Sequence, residues 1–360
     1  MSAPVSRQPS AMQFVTRLFH QPYVWAIVAL LLLLVINLTK NPGYLGVSVN
    51  PATGNLSGNV IDILRASAPI MMIAVGMTLV IATRGIDLSV GSVMAVAGAV
   101  SMEFMQNAGT GSFGTAAIAV ILALGISAVL GTLNGILVSI VGLQPFITTL
   151  VMMLAGRGLA KVITSGQNTS ATNESFRWLA NGTVLGFPVV FVIAVVIVAV
   201  LAALVRRTAL GLMIESIGIN PKAARMAGIR PVGILISVYI VSAVLAGVAG
   251  IFSTASVMTV EVAKTGMTAE MDAILAVVIG GTSLAGGKFS LTGSIIGALL
   301  IATLDKTIVY MSIPSSATPA FKAIVIVVIC LLQSPRVRAL FNQRKASTTR
   351  PHTRKEAVSA

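Results

Sequence analysis

The sequence predicts an all-α, polytopic membrane protein of about ten transmembrane helices with both termini in the cytoplasm, and three observations predict it. Of 360 residues, 56% are hydrophobic and only 9% charged, against about 25% charged in an ordinary soluble domain. The apolar residues gather into runs of the length, about 20 residues, that crosses a bilayer core. The basic surplus behind the net charge of +14 collects at the tails and in one loop beside apolar runs, as topogenic cytoplasmic charge does. The same placement argues against a nucleic-acid partner, which would call for a basic surface.

Along the chain, run 22–38 follows Arg7 and Arg17 and ends in Asn37-Leu38-Thr39-Lys40 with no A-x-A pattern. It therefore reads as an uncleaved first span rather than a secretion signal. Runs 66–83, 89–106, 115–140, 145–163, 187–205 and 231–256 follow. Runs 271–284 and 290–304 are short and interrupted by Gly, the pattern of tilted, broken or re-entrant segments; run 317–333 closes the series. Both termini on one side require an even number of crossings, and most Lys and Arg then fall on that side. Small residues four apart, Gly131 and Gly135, Gly293 and Gly297, Ala95 and Ala99, let helix backbones approach closely in lipid. The chain divides into a cytoplasmic tail (1–21), a transmembrane domain (22–333) and a basic, Ser/Thr-rich tail (334–360), disordered in expectation and at most a membrane-surface anchor.

Two loops stand out. The segment 164–186 is polar and lies outside on this topology. The segment 206–230 is basic, and within it Asn220 suits a cap, Pro221 a first helical position and Gly228 a stop, so Pro221 to Ala227 reads as a two-turn helix. Such a helix is marginal alone. It is either a docking surface for a cytoplasmic partner or a basic loop that only fixes topology. The stretches 85–92 and 287–294 share Gly and Gly-Ser at equal spacing, both as inner turns.

The chemistry is as informative by what it lacks. His20 and His352 are the only histidines and Cys330 the only cysteine, so neither an internal disulfide nor a His/Cys metal site or His-based nucleophile can be assembled within the membrane. The carboxylates fall at run ends, loops or tails, where a proton relay would place one inside. The run Gly281 to Phe289 imitates a phosphate-binding loop, but the frame on Lys288 needs Gly at Thr282 and Ser or Thr at Phe289. ATP-Mg, if used, is therefore held by a partner chain, and these residues offer neither the candidates for a membrane-embedded enzyme nor a cofactor site of the chain's own. Arg84 and Asp87, three apart around Gly85, could pair across a turn or touch substrate. Asn134, Gln144 and Arg157 are the polar groups nearest the membrane core, either lining a translocation path or making interhelical hydrogen bonds.

Taken together, Thr83-Arg84-Gly85-Ile86-Asp87-Leu88-Ser89-Val90-Gly91, Gly280-Gly281-Thr282-Ser283-Leu284-Ala285-Gly286-Gly287, Gly131-Thr132-Leu133-Asn134-Gly135, Gln144-Pro145-Phe146-Ile147-Thr148-Thr149-Leu150 and Ala155-Gly156-Arg157-Gly158 resemble the permease subunit of bacterial ABC sugar importers of the ribose, xylose and galactose type. The resemblance spans about 22–333 and is nearest the galactofuranose branch, on Ile61-Asp62-Ile63-Leu64, Thr208-Ala209-Leu210-Gly211 and Asp272 to Gly281; Arg84 stands where that branch is expected to carry Gly. It implies two permease subunits, identical or homologous, around one path. It also implies an ATP-binding cassette subunit docked on 206–230, a periplasmic sugar-binding protein, and residence as a multi-pass protein of the bacterial inner membrane. The residues it assigns to coupling are Glu215, Gly218, Asn220, Ala223, Ala224, Arg225 and Gly228, and to structural turns Arg84, Gly85, Asp87, Gly91, Gly286 and Gly287. A competing class, an ion-coupled carrier working alone, would use unwound backbone in 271–304 to hold its ion.

Overall fold

The computed structural model describes residues 22–49, 56–109, 111–314 and 316–333; the two tails lie outside them. The helices in order are α1 (Pro22–Lys40), α2 (Asn59–Ala82), α3 (Val90–Ala108), α4 (Phe113–Ser139), α5 (Pro145–Ile163), α6 (Glu174–Asn181), α7 (Val189–Arg207), α8 (Leu210–Ile219), α9 (Pro221–Met226), α10 (Pro231–Val257), α11 (Ala269–Ile279), α12 (Leu291–Tyr310) and α13 (Thr318–Gln333). Two-residue strands occupy the connections: β1 (Ser48–Val49), β2 (Leu56–Ser57), β3 (Thr169–Ser170), β4 (Thr183–Val184), β5 (Phe187–Pro188) and β6 (Thr259–Val260). They pair antiparallel as β1–β2, β3–β6 and β4–β5, and Thr169 opposite Val260 ties the 164–186 loop to the loop after α10.

Seven of the helices, α1, α2, α4, α5, α7, α10 and α12, are long and apolar enough to cross a membrane. The remaining runs of the sequence pattern become α3, α11 and α13. At eleven residues, α11 rises only about 16 Å, roughly half a bilayer core. By contrast α12 is one continuous helix through Gly293, Gly297 and the charges Asp305 and Lys306, so the expected break in that run is absent. Its glycines are occupied by a neighbour instead: Gly293 sits against the backbone of Gly280, and Gly297 against that of Ala276.

The core is built from α2, α3, α10 and α12. α10 packs on α4, α2 and α3, while α2 also meets α12, α11 and α7. A Cβ on Gly131 would stand 2.7 Å from the Tyr239 carbonyl oxygen, and one on Gly135 2.8 Å from Ile236 Cα. The close approach expected of these small residues is thus the contact between α4 and α10. The outward faces of α1, α4, α5 and α7 leave residues such as Leu32, Ile121, Val151 and Val196 exposed, as lipid contact requires. On α13, Lys322 Nζ lies 2.7 Å from Asp305 of α12 and 3.1 Å from Asp272 of α11, which pins the three helices together.

The 164–186 loop is more ordered than its polarity suggests. Asn173 caps α6 by accepting the Phe176 N–H at 3.0 Å, and Phe176 is fully buried beneath it. Asn181 donates to the carbonyls of Ala255 and Ser256, which seats α6 on the end of α10.

Candidate functional site

The residues of 206–230 fold as two helices. Asn220 Oδ1 accepts the N–H groups of Lys222 and Ala223 at 3.0 and 3.2 Å, Pro221 opens α9, and the chain turns at Gly228 with φ +84. The capping read from sequence is what forms. The α8 helix before it is not foreseen, because Gly211 and Gly218 lower its helix propensity. What Gly218 provides is close approach, since a Cβ there would overlap the Ala82 carbonyl and crowd the Gly287 amide.

This contact joins three of the signature segments. The Gly287 N–H donates to the Ala82 carbonyl at 2.9 Å, directly under Gly218. Arg84 donates from Nε to the Ala285 carbonyl at 3.1 Å and from Nη2 to the Ile219 carbonyl at 2.6 Å. The end of α2, the turn after α11 and the end of α8 are therefore held by one guanidinium and one backbone bond. Arg84 does so from a left-handed backbone, φ +65, a conformation that favours Gly. Gly286, at φ +82, packs on the Arg84 stem. The expected Arg84–Asp87 pair is not formed, since the guanidinium fork is taken up by carbonyls of two other segments. Arg84→Ala is expected to raise the rate of trypsin cleavage at Lys222 and Arg225 about tenfold, the equivalent of one lost hydrogen bond of ~1.4 kcal/mol. A rate equal to that of the unaltered protein would show that the clamp does not hold α8 and α9.

Within this junction Gly218 and Ala224 are buried, whereas Asn220, Ala223, Arg225 and Gly228 are exposed. Apolar Leu212, Ile219 and Met226 are exposed too, Met226 at 90%. Beside α8 runs a groove of about 370 Å³ between Arg206, Leu212, Glu215 and Phe289.

The segment after the clamp turns back into the protein, against the side of α10. Gly85 packs against Tyr239, and Asp87 reaches Ser242, about 16 Å along α10 from its start. Backbone outside helices is tolerated inside a membrane protein only where protein satisfies it, and here Asp87 and Thr149 do so while Ser242 and Asn134 hold the side chains in place. Asp87 Oδ1 accepts the Ser89 N–H at 3.0 Å and the Ser89 hydroxyl at 2.5 Å; Oδ2 accepts Ser242 Oγ at 2.8 Å. Asn134 Nδ2 donates to Ser89 Oγ at 2.9 Å, and Thr149 Oγ1 to the Ile86 carbonyl at 3.0 Å. Asp87 is 1% exposed and stands in the connection between α2 and α3, as the run boundaries place it, but folded back against α10 rather than left at the surface. Its depth also explains α3, which starts inside the protein among α4, α5 and α10 and so needs less apolar surface than a lipid-facing span.

Arg157 serves a second irregular segment. Its Nη1 and Nη2 donate at 2.6 Å to the carbonyls of Thr265 and Gly266, and Gly91 at the start of α3 packs on Gly266 and Glu270. Gln144 stands exposed at the N-cap of α5, where its carbonyl accepts the Thr148 N–H at 3.1 Å. Of the three groups read as possible path residues, the structure therefore places Arg157 on backbone carbonyls, Asn134 on the Ser89 hydroxyl and Gln144 at a helix end.

Apolar helices around buried, re-entrant backbone, with a two-helix segment clamped to the turns on one face, define a membrane-embedded transport subunit. A family model described as the permease component of the branched-chain amino acid transport system matches residues 59–332. The fructose import permease protein of Bifidobacterium longum is 54% identical over 331 residues, 91% of this chain and 92% of that one. The galactofuranose transporter permease of Escherichia coli is 41% identical, covering 87% and 90%. The ribose import permease of the same species is 38% identical, covering 86% and 93%. No solved structure matches. The chain belongs to this permease family, and the relatives named above are sugar import permeases.

Proposed function

We propose that the chain is the membrane-spanning subunit of an ATP-driven monosaccharide importer in a bacterial inner membrane. On this reading it crosses ten times, with α3, α11 and α13 added to the seven long spans and both termini cytoplasmic, so that the basic residues lie inside. Two such subunits, identical or homologous, enclose the path. A periplasmic binding protein delivers the sugar, and ATP-Mg is bound and hydrolysed on the cassette subunit. Fructose is the first sugar to test and galactofuranose the second, on the strength of the relatives.

The observation that carries the reading is the clamp. A partner that pushes on α9 acts through Ile219, Arg84 and Gly287 on the ends of α2 and α11, and hence on the re-entrant segment between α2 and α3. The exposed apolar groups Leu212, Ile219 and Met226 need cover in an aqueous compartment. Glu215 and Arg225 offer opposite charges that set the register of a partner surface. A mechanical link of this kind is what ATP-driven alternating access requires, and an ion-coupled carrier has no use for such a face.

Mild-detergent purification with mass spectrometry of the co-purifying chains tests the proposal. The expected result is a cassette chain that is lost on deleting 221–227 or on Glu215→Arg, with membrane insertion unchanged. Recovery of the cassette with both variants would overturn the docking face.

A further inference from the structure

On the face opposite 206–230, α2, α6, α7, α10 and α12 line an open cavity of about 330 Å³. That equals the liquid volume of about ten waters, enough for one sugar ring. Its charged wall is Asp62 and Arg65 of α2 with Lys306 of α12. Asp62 lies 3.8 Å from Arg65 and 3.5 Å from Lys306, both longer than the roughly 2.7–2.9 Å of a well-made charged pair. The buried Arg65 Nε has no hydrogen-bond partner. These groups have donors and acceptors to spare.

The opposite wall is complementary. Ser253 and Ser256 donate their hydroxyl protons back into α10, to the carbonyls of Ala249 and Ser253, so what they present to the cavity is acceptor lone pairs. Pro69, also in the lining, has no N–H to pair with the Arg65 carbonyl one turn earlier. Phe252 supplies an apolar surface. A neutral polyol needs this combination: donors for its oxygens, acceptors for its hydroxyls and an apolar patch for its C–H face.

We propose that this cavity is a way-station for the sugar on the delivery side of the membrane, held by Asp62, Arg65, Lys306, Ser253 and Ser256. This rests on the importer reading and adds to it the place where the permease itself touches substrate. The site is loose by construction, since its charges also face one another, which suits a path that must release what it binds.

The test uses the complete complex with cassette and binding protein in proteoliposomes. Uptake of D-fructose, D-galactofuranose and D-ribose by the unaltered complex comes first; if none enters, the importer reading and this site fall together. With uptake established, Ser256→Cys in a Cys330→Ser background is labelled with a charged, impermeant thiol reagent. Millimolar transported sugar is expected to slow the labelling. Asp62→Asn or Lys306→Gln is expected to abolish that protection and to lower uptake about tenfold, the loss of one charge-assisted hydrogen bond, while Lys306→Arg retains both. Labelling unaffected by sugar, in a complex that still transports, would overturn the site and leave the importer reading standing, whether or not the Asp62 variant assembles. Protection by fructose 6-phosphate and not by fructose would assign an anionic ligand and overturn the neutral-sugar proposal.

Discussion

Gly218→Val is expected to abolish ATP-driven uptake while leaving the chain in the membrane and the cassette still bound. A Cβ at Gly218 would overlap the Ala82 carbonyl, whose one donor here is the Gly287 amide. Either that bond breaks or α8 moves away from both turns. Overpacking of this kind costs about 1–3 kcal/mol, too little to unfold a chain whose core lies elsewhere in α2, α10 and α12. It is enough to change the population of a two-state junction by about tenfold or more. The docking face beyond Gly218, from Asn220 through Met226, is untouched, so cassette binding and transport separate. Uptake and cassette recovery measured on the same preparation decide the matter. Normal uptake would show that the clamp carries no force, and loss of cassette with loss of uptake would place Gly218 in docking rather than in coupling.

Why Gly218 and its neighbours carry this role is only partly legible in the sequence. The apolar runs mark the long spans because lipid contact demands apolar length, and that demand is local. The α9 cap is legible for the same reason: Asn220 and its two N–H partners lie within three residues. Four features are not. Run 89–106 reads as a span like the others, but that α3 is encased in protein depends on helices far along the chain. The nearest acid to Arg84 in sequence is Asp87, but its acceptors are the carbonyls of Ile219 and Ala285, and carbonyls carry no sequence signal. Asn134 and Arg157 do lie within the helix packing, yet what they hold is invisible in the sequence, because the Ser89 hydroxyl and the Thr265 carbonyl come close to them only in the fold. The cavity of Asp62, Arg65 and Lys306 joins helices more than 240 positions apart, and within the sequence these read as ordinary end-of-span charges.

Asp87→Ala should be among the most damaging single substitutions in the chain, and Asp87→Asn among the mildest at that position. The carboxylate accepts three hydrogen bonds, one from a backbone N–H in a segment that has left helical geometry inside the protein. Alanine leaves that N–H and the Ser89 and Ser242 hydroxyls to find other acceptors. The serines can turn to carbonyls of their own helices, but the Ser89 N–H cannot, and an unpaired buried amide alone costs about 1–3 kcal/mol. With the cavity, the loss is about 3 kcal/mol. Asparagine keeps Oδ1 for Ser89, and its amide can donate to Ser242 once that hydroxyl rotates toward its own helix. No Lys or Arg among the described residues is ion-paired to Asp87, so removing its charge leaves no cation unpaired. The melting temperature of the purified chain in detergent, together with uptake, separates the cases. A stable Asp87→Ala would show that the re-entrant segment does not depend on this carboxylate. If Asp87→Asn instead kept its stability and lost transport, the charge itself would be needed, and the segment between α2 and α3 would be working part of the path rather than support for it.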